Sequence, residues 1–218
     1  MTADAPRPTA AAPLSREAIA AHVESVLAAD LPRIVAAGHP VLRRPAQDYD
    51  GQLDDDTLAR LLDTMRRVMH AAPGVGLAAP QIGIPLRIAV LEDAGTVDPA
   101  VAAARSRPAL PFTVLLNPRY AAAGGSVAAF YEGCLSVPGY QAVVERPHRI
   151  EATYTQPDGR TVTAGFEGWP ARIVQHETDH LDGTLYLDRA ILRSLSADAE
   201  HHRWAQPTID EARRGLGF

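Results

Sequence analysis

Residues 175–183 read Gln-His-Glu-Thr-Asp-His-Leu-Asp-Gly and contain the pattern His-Glu-x-x-His. Positions i and i+4 of a helix lie on one face, so His176 and His180 can bind a single metal ion. Glu177 follows the first histidine, where a carboxylate can take a proton from water that the metal activates. Apolar residues within the segment indicate that this face points toward the protein interior. The segment therefore predicts a buried helix with two metal ligands and a general base.

The chain contains a single cysteine, Cys134, about 40 residues before the histidine pair. A lone cysteine is more often a small buried apolar residue than a ligand. Beside two histidines at metal spacing, however, its thiolate is the expected third ligand. Three protein ligands leave a fourth position for water, which is the pattern of catalytic rather than structural sites. One cysteine also excludes an internal disulfide, which fits a reducing compartment.

Two further motifs precede this segment. Residues 74–81 read Gly-Val-Gly-Leu-Ala-Ala-Pro-Gln, and residues 132–136 read Glu-Gly-Cys-Leu-Ser. With these three motifs in order, the chain from about Leu31 to about Arg189 resembles the peptide deformylase family. The resemblance implies a metal-dependent hydrolase that removes the N-formyl group from the N-terminal formyl-methionine of nascent polypeptides and releases formate. It also implies Fe²⁺ as the ion in the cell, although a Cys-His-His set accepts Zn²⁺, Ni²⁺ or Co²⁺ as well.

Several residues are expected to act beside the metal ligands. Leu135 follows the ligand cysteine, so its backbone N–H is expected to face the developing oxyanion. The side-chain amide of Gln81 is the second donor that the resemblance implies. The resemblance also implies that Arg146 pairs with Glu132. Asp179 and Glu132 are carboxylates close to ligands, and metal-bound imidazoles usually donate their other N–H to such groups.

The resemblance further implies a pocket for the methionine side chain. Its expected wall consists of Val75, Phe130, Trp169, Arg172 and Ile173. We expect the methylenes of Arg172 to line this pocket while its guanidinium group reaches water. Gly76 and Gly133 are the small residues expected to bind substrate, and in the first motif small residues let an extended peptide approach the backbone.

Two other functions fit parts of the pattern. A zincin-type peptidase would take its third ligand elsewhere: Tyr186 stands where the metzincin histidine would fall, and Glu200 is a candidate thermolysin-like ligand. A metal-stabilised module could also bind peptide amino termini without hydrolysis. That alternative would be favoured by the loss of Glu177 or Gln81, and both residues are present.

The pattern of elements predicts an α+β fold with antiparallel β-sheets packed around a central metal-binding helix. We expect an N-terminal extension over residues 1–30, disordered at its start and with one helix that opens at Ser15. A catalytic domain is expected over residues 31–189, followed by a polar, helical C-terminal tail over residues 190–218. Residues 34–43 are expected to form a strand and a turn, and residues 93–111 a surface loop.

The remaining expected elements are short. A second helix is predicted over Asp54–Met69 because leucines recur there at helical spacing. The predicted strands are Pro85–Glu92, Phe112–Leu116, Ser126–Tyr131, Ala142–Glu145, Arg149–Thr155 and Arg160–Phe166. The last two flank Gln-Pro-Asp-Gly, whose proline and glycine favour a hairpin turn.

Composition limits the expected partners and compartment. The chain has 218 residues and a net charge of −5, with basic residues scattered along it. No basic patch predicts nucleic-acid binding, and no apolar run approaches a membrane span of roughly 20 residues. The first residues lack the apolar core of a secretory signal, so we expect a cytoplasmic protein. Formyl-methionyl nascent peptides are the expected partners, with the ribosome near its exit tunnel as a further candidate.

Overall fold

The computed structural model describes residues 13–218, so most of the expected disordered start lies outside the described residues. The helices are α1 (Arg16–Leu27), α2 (Asp55–Ala71), α3 (Pro99–Arg105), α4 (Gly168–Leu181), α5 (Asp198–His201) and α6 (Asp210–Leu216). The strands are β1 (Gly76–Ala78), β2 (Ile88–Asp93), β3 (Leu110–Ala122), β4 (Val127–Cys134), β5 (Val137–Pro147), β6 (Arg149–Thr155), β7 (Thr161–Glu167) and β8 (Ser196–Ala197). Short 3-10 helices occupy the connections, among them Ala79–Ile82 directly after β1.

The strands form two antiparallel sheets. The first has the order β1-β2-β3-β6-β7, and the second has the order β4-β5-β8. The β6–β7 hairpin is in register from Arg149 opposite Glu167 to Thr155 opposite Thr161. Gly159 in its turn has φ +85°, a left-handed conformation that glycine adopts without strain. The predicted α+β class with antiparallel sheets is confirmed.

Helix α4 lies between the sheets and packs against strands of both. It begins after β7 at Gly168, where φ is +64°. A Cβ added there would lie 2.4 Å from the backbone carbonyl oxygen of Ser106. Its fully buried residues Ala171 and Val174 pack against Ile150 and Ala152 of β6. This apolar contact turns the face of the helix that carries His176 and His180 toward the second sheet.

Residues 34–43 and 93–111 differ from the sequence predictions, and the tail expected to be helical contains the short strand β8. The expected loop over residues 93–111 contains helix α3, capped where the Asp98 side chain accepts a hydrogen bond from the Ala100 N–H. None of the α3 residues is buried, so the helix has no apolar stripe that a sequence pattern could reveal. The strand expected at the start of residues 34–43 does not form. Residues 34–37 make only isolated backbone hydrogen bonds, such as that from the Val35 N–H to the Gln81 carbonyl. A 3-10 helix over Pro40–Arg43 follows.

Both ends of the described chain pack onto the central part. In α1, Ile19 and Val23 are fully buried and belong to the same apolar cluster as α2. At the other end, β8 pairs with β5, and Ile209 packs into a cluster with Tyr131 and Val143. Across residues 13–218, no helix combines the length and apolar character that crossing a membrane requires.

Candidate active site

The three expected ligands converge at one point. Cys134 ends β4, while His176 and His180 lie one turn apart on α4. Their ligand atoms lie within 4.8 Å of one another, and the Cys134 Sγ is 3.2 Å from the His180 Nε2. One sulfur and two imidazole nitrogens at this separation can surround a single divalent ion. The donor set therefore fits a metal ion.

Glu132 fixes the orientation of the first histidine. The His176 Nδ1 donates to the Glu132 Oε2 at 3.0 Å, which leaves Nε2 as the nitrogen free to bind a metal. Burial opposes ionisation of Glu132. The charge of Arg146 and hydrogen bonds from His176 and Arg146 nevertheless hold its pKa below the ordinary value. Glu132 is therefore a carboxylate inside the protein.

Arg146 joins Glu132 to a second carboxylate. Its Nε and Nη2 donate to Glu132 at 2.6 and 3.0 Å, which is the expected pair. Its Nη1 donates to Asp179 at 2.8 Å, and Asp179 also accepts from Tyr120 and Arg189. The hydrogen bonds of Asp179 thus go to Arg146, Tyr120 and Arg189 rather than to an imidazole. From the sequence, Asp179 is expected to accept a hydrogen bond from a histidine ring. It does not, because Arg146, Tyr120 and Arg189 already donate to both of its carboxylate oxygens.

Glu177 is held in a buried position against the first motif. It is 4% exposed, and its Oε2 has no hydrogen-bond partner among residues 13–218. Burial raises the pKa of Glu177 to about 7. A Cβ added to Gly76 would lie 2.3 Å from the Glu177 Oε1, so only glycine leaves room for this carboxyl group. The unpartnered oxygen makes Glu177 available to a substrate or a water molecule.

Gln81 presents its amide nitrogen to Cys134. Its Oε1 accepts from the Ala78 N–H at 2.8 Å, which fixes the orientation of the amide. Its Nε2 lies 3.6 Å from the Cys134 Sγ and 3.3 Å from the Ser136 Oγ. The side chain is 1% exposed, in the 3-10 helix after β1.

A cavity of about 710 Å³ opens over these groups. Most of the predicted substrate and catalytic residues line it: Val75, Gly76, Gln81, Gly133, Leu135, Trp169, Arg172, Ile173 and Glu177. Glu132, Cys134 and His176 also reach the cavity wall. Phe130 is outside this lining and packs edge-on against Trp169, with ring centroids 6.3 Å apart. Phe130 therefore supports the wall from behind.

The guanidinium group of Arg172 does not reach water, contrary to the sequence prediction. The residue is 4% exposed, and its Nη1 donates to the Glu132 Oε1 at 2.5 Å and to the Val144 carbonyl at 2.9 Å. Its Nη2 donates to the Ala128 carbonyl. A buried carboxylate and two strand carbonyls offer this cation acceptors that replace hydration.

Glu200, the alternative third ligand, does not belong to the cluster of Cys134, His176 and His180. Glu200 is exposed and accepts a hydrogen bond from Arg203 at 2.6 Å. The ring of Tyr186 stacks on His176, and its hydroxyl group donates to the Tyr140 carbonyl. Sequence reasoning missed the polar neighbours Ser136, Tyr120 and Arg189. Of these three, only Ser136 could have been found from the sequence, because it belongs to the second motif, residues 132–136.

The chain matches known proteins along most of its length. The family model described as polypeptide deformylase matches residues 31–195. Peptide deformylase 3 of Streptomyces avermitilis is 60% identical over 92% of this chain and 90% of its own length. Peptide deformylase 1 of Streptomyces coelicolor is 55% identical over 94% of this chain and 95% of its own.

A solved structure gives the same result for the fold. The Met-Ala-Ser-bound class I type b peptide deformylase from Acinetobacter baumannii superposes with a TM-score of 0.65 and 32% identity. The match covers 73% of this chain and 98% of that one. Peptide deformylases are metal-dependent hydrolases that remove the N-formyl group from the N-terminal methionine of nascent polypeptides. On its sequence and its fold alike, the chain belongs to the polypeptide deformylase family.

Proposed function

We propose that Cys134, His176 and His180 hold one divalent metal ion at which formyl-methionyl peptides lose their formyl group. One observation carries the proposal: a thiol and two imidazoles converge within 4.8 Å beside a buried carboxyl group with an unpartnered oxygen. When bound, such an ion would act as a Lewis acid and lower the pKa of water toward neutrality. Fe²⁺ is the ion proposed for the cell, and the same donors also accept Zn²⁺, Ni²⁺ or Co²⁺.

Glu177 is proposed as the residue that moves the proton. Its Oε2 accepts a proton from the attacking water as the water oxygen adds to the formyl carbon. The same carboxyl group then delivers the proton to the amide nitrogen as the carbon–nitrogen bond breaks. Formate and a free amino terminus result, so the proton is returned and the carboxylate is regenerated.

Gln81 and Leu135 are proposed as donors to the formyl oxygen. The Gln81 amide is fixed by the Ala78 N–H and lies beside Cys134, while Leu135 is the next residue after this ligand. A donor held in place before the reaction stabilises negative charge as it develops on the oxygen. Removing one such donor typically costs about 3 kcal/mol, roughly a hundredfold in rate.

The substrate is proposed to lie in an extended conformation along the first motif. Strand β1 ends the first sheet, so one of its edges carries no strand among the described residues. An extended peptide can add to such an edge through main-chain hydrogen bonds. Val75, Trp169 and Ile173 then form the apolar wall for the methionine side chain. The related A. baumannii structure, bound to Met-Ala-Ser, supports a methionyl peptide as occupant.

The catalytic domain is proposed to span residues 31–189, in agreement with the family match over residues 31–195. Residues 13–30 before it and the tail after it are proposed as packed appendages of this domain. Contact with the ribosome stays a prediction, and sedimentation of the protein with purified ribosomes would test it.

The test is release of formate from formyl-Met-Ala-Ser by protein loaded anaerobically with Fe²⁺. We expect formate with intact peptide bonds, and a Glu177→Gln variant slower by about a thousandfold with its metal retained. Glu151→Gln is the matched control, because Glu151 is an exposed carboxylate on β6. Peptide-bond cleavage would instead identify a zincin-type peptidase. Peptide binding without any turnover would identify a binding module.

A further inference from the structure

Arg105 is a cation on the cavity wall that forms no ion pair with a carboxylate of residues 13–218. It ends helix α3 and lines the cavity. Its Nε is buried and has no hydrogen-bond partner among the residues that the structure describes. Burial, and next the charges of Arg107 and Arg172, lower the pKa of Arg105, and no acidic group offsets them. The cavity wall therefore carries a positive charge that the described protein does not neutralise.

The two neighbouring guanidinium groups differ from Arg105 in this respect. Arg107 donates to the buried Asp93 at 2.8 and 3.2 Å. Arg172 donates to Glu132 at 2.5 Å. Asp198 also lines the cavity, but its carboxylate accepts from the Gln141 side chain at 3.2 Å and forms no ion pair with Arg105. Arg105 is thus the guanidinium of this group that remains available to a ligand.

The position of Arg105 relates it to the substrate. Its Cζ lies 4.9 Å from the centroid of the Trp169 ring, which belongs to the methionine wall. In an extended peptide, the first and third side chains point to the same side, about 7 Å apart. A third side chain would therefore project along the wall that begins at Trp169. A guanidinium stacked on an aromatic face can still present its terminal Nη N–H groups to a carboxylate.

We propose that Arg105 binds the carboxylate of an aspartate or glutamate at the third position of the formyl-methionyl peptide. This inference rests on the proposed function, because it places the methionine side chain against Trp169. Arg105 then determines specificity by binding substrate and takes no part in the chemistry. A partly exposed charge pair of this kind favours the acidic peptide about fivefold.

The test compares kcat and KM for formyl-Met-Ala-Glu-amide, formyl-Met-Ala-Gln-amide and formyl-Met-Glu-Ala-amide. Amidation removes the terminal carboxylate, which could otherwise occupy the same site. We expect a kcat/KM ratio of glutamate to glutamine of about five at the third position, expressed in KM. Relative to formyl-Met-Ala-Gln-amide, the peptide with glutamate at the second position should show no such gain in kcat/KM, because its second side chain points away from Arg105.

Variants then assign the preference to the residue. In Arg105→Gln the ratio should fall to about one, whereas Arg105→Lys should keep part of it because the charge remains. Arg160→Gln is the matched control: it removes one positive charge from the exposed turn beyond β6 and should leave the ratio unchanged. An unchanged ratio in Arg105→Gln, or a preference at the second position, would overturn the inference. Absence of deformylation with the glutamine peptide would instead refute the proposed function.

Discussion

Glu177 links the chemistry of the site to the stability of the fold. In the metal-free protein, burial raises its pKa from 4.5 to about 7. The folded state therefore keeps this proton at pH values where the unfolded chain has already released it. Unfolding then releases a proton between these two pH values, so rising pH favours the unfolded state. The cost of burying the carboxylate is complete above about pH 7.

This gives a prediction for the metal-free protein. Relative to Glu177→Gln, the wild type should lose about 3 kcal/mol of stability as pH rises from about 4.5 through 7. Urea unfolding of both proteins at about pH 5 and pH 8 measures the difference. The glutamine variant serves as the control for the wild type, because the two proteins share every other titrating group. A stability difference that does not change with pH would contradict the assigned burial effect.

Sequence spacing predicted the relative positions of some residues of the site but not the partners of others. The proximity of His176 and His180 could be predicted because a helix places these two residues on one face whatever surrounds it. The environment of Arg172 could not be predicted, because it depends on Glu132, which is 40 residues away in sequence and reaches it through the fold. For the same reason, the partners of Asp179 were identified only when the fold brought Tyr120 and Arg189 to it.

At the scale of helices and strands, the contact between β1 and α4 determines the position of Glu177. Gly76 begins β1 and lies against the side chain of Glu177. An added Cβ would lie 2.3 Å from Oε1 and 2.7 Å from Cδ of that side chain. The strand and the carboxyl group can therefore be this close only while residue 76 is glycine.

We predict that Gly76→Ala lowers kcat/KM for formyl-Met-Ala-Ser by about a hundredfold, because it displaces Glu177. Gly165→Ala is the matched control, since β7 offers open space around that position. Metal content should remain near that of the wild type in both variants, because residue 76 is not a ligand. Full activity in Gly76→Ala would show that Glu177 does not need its observed position.

Among elements, apolar periodicity decided what could be predicted. Helix α2 was predicted over Asp54–Met69 and is observed over Asp55–Ala71, because its buried face repeats at helical spacing. Helix α3 has no buried residue, and only the fold positions it. A surface loop over residues 93–111, as the sequence predicts, gives no reason to place Arg105 on the cavity wall.

For the molecule as a whole, helix α1, which precedes the family match, packs into the folded core. Ile19 and Val23 of α1 are fully buried in the cluster that also contains α2 and β2. Glu24 of α1 also accepts hydrogen bonds from Arg60 of α2. The sequence predicted the helix, but it could not indicate what the helix packs against.

We predict that Ile19→Ala lowers the free energy of unfolding by about 3 kcal/mol, because it leaves a cavity in this cluster. Leu14→Ala is the control: Leu14 is 46% exposed, and the change should stay within about 0.5 kcal/mol. Denaturant unfolding measures both values. Equal stability of the two variants would show that α1 is not part of the cooperative unit.

The absorption spectrum of the Co²⁺-substituted protein tests the metal centre most directly. If Cys134, His176 and His180 hold the ion, the spectrum should show a thiolate-to-cobalt charge-transfer band with one cobalt per chain. Cys134→Ser should lose this band, while Glu200→Ala should keep it. Cobalt bound to the wild type without a charge-transfer band, or cobalt binding that depends on Glu200, would contradict the assigned ligands.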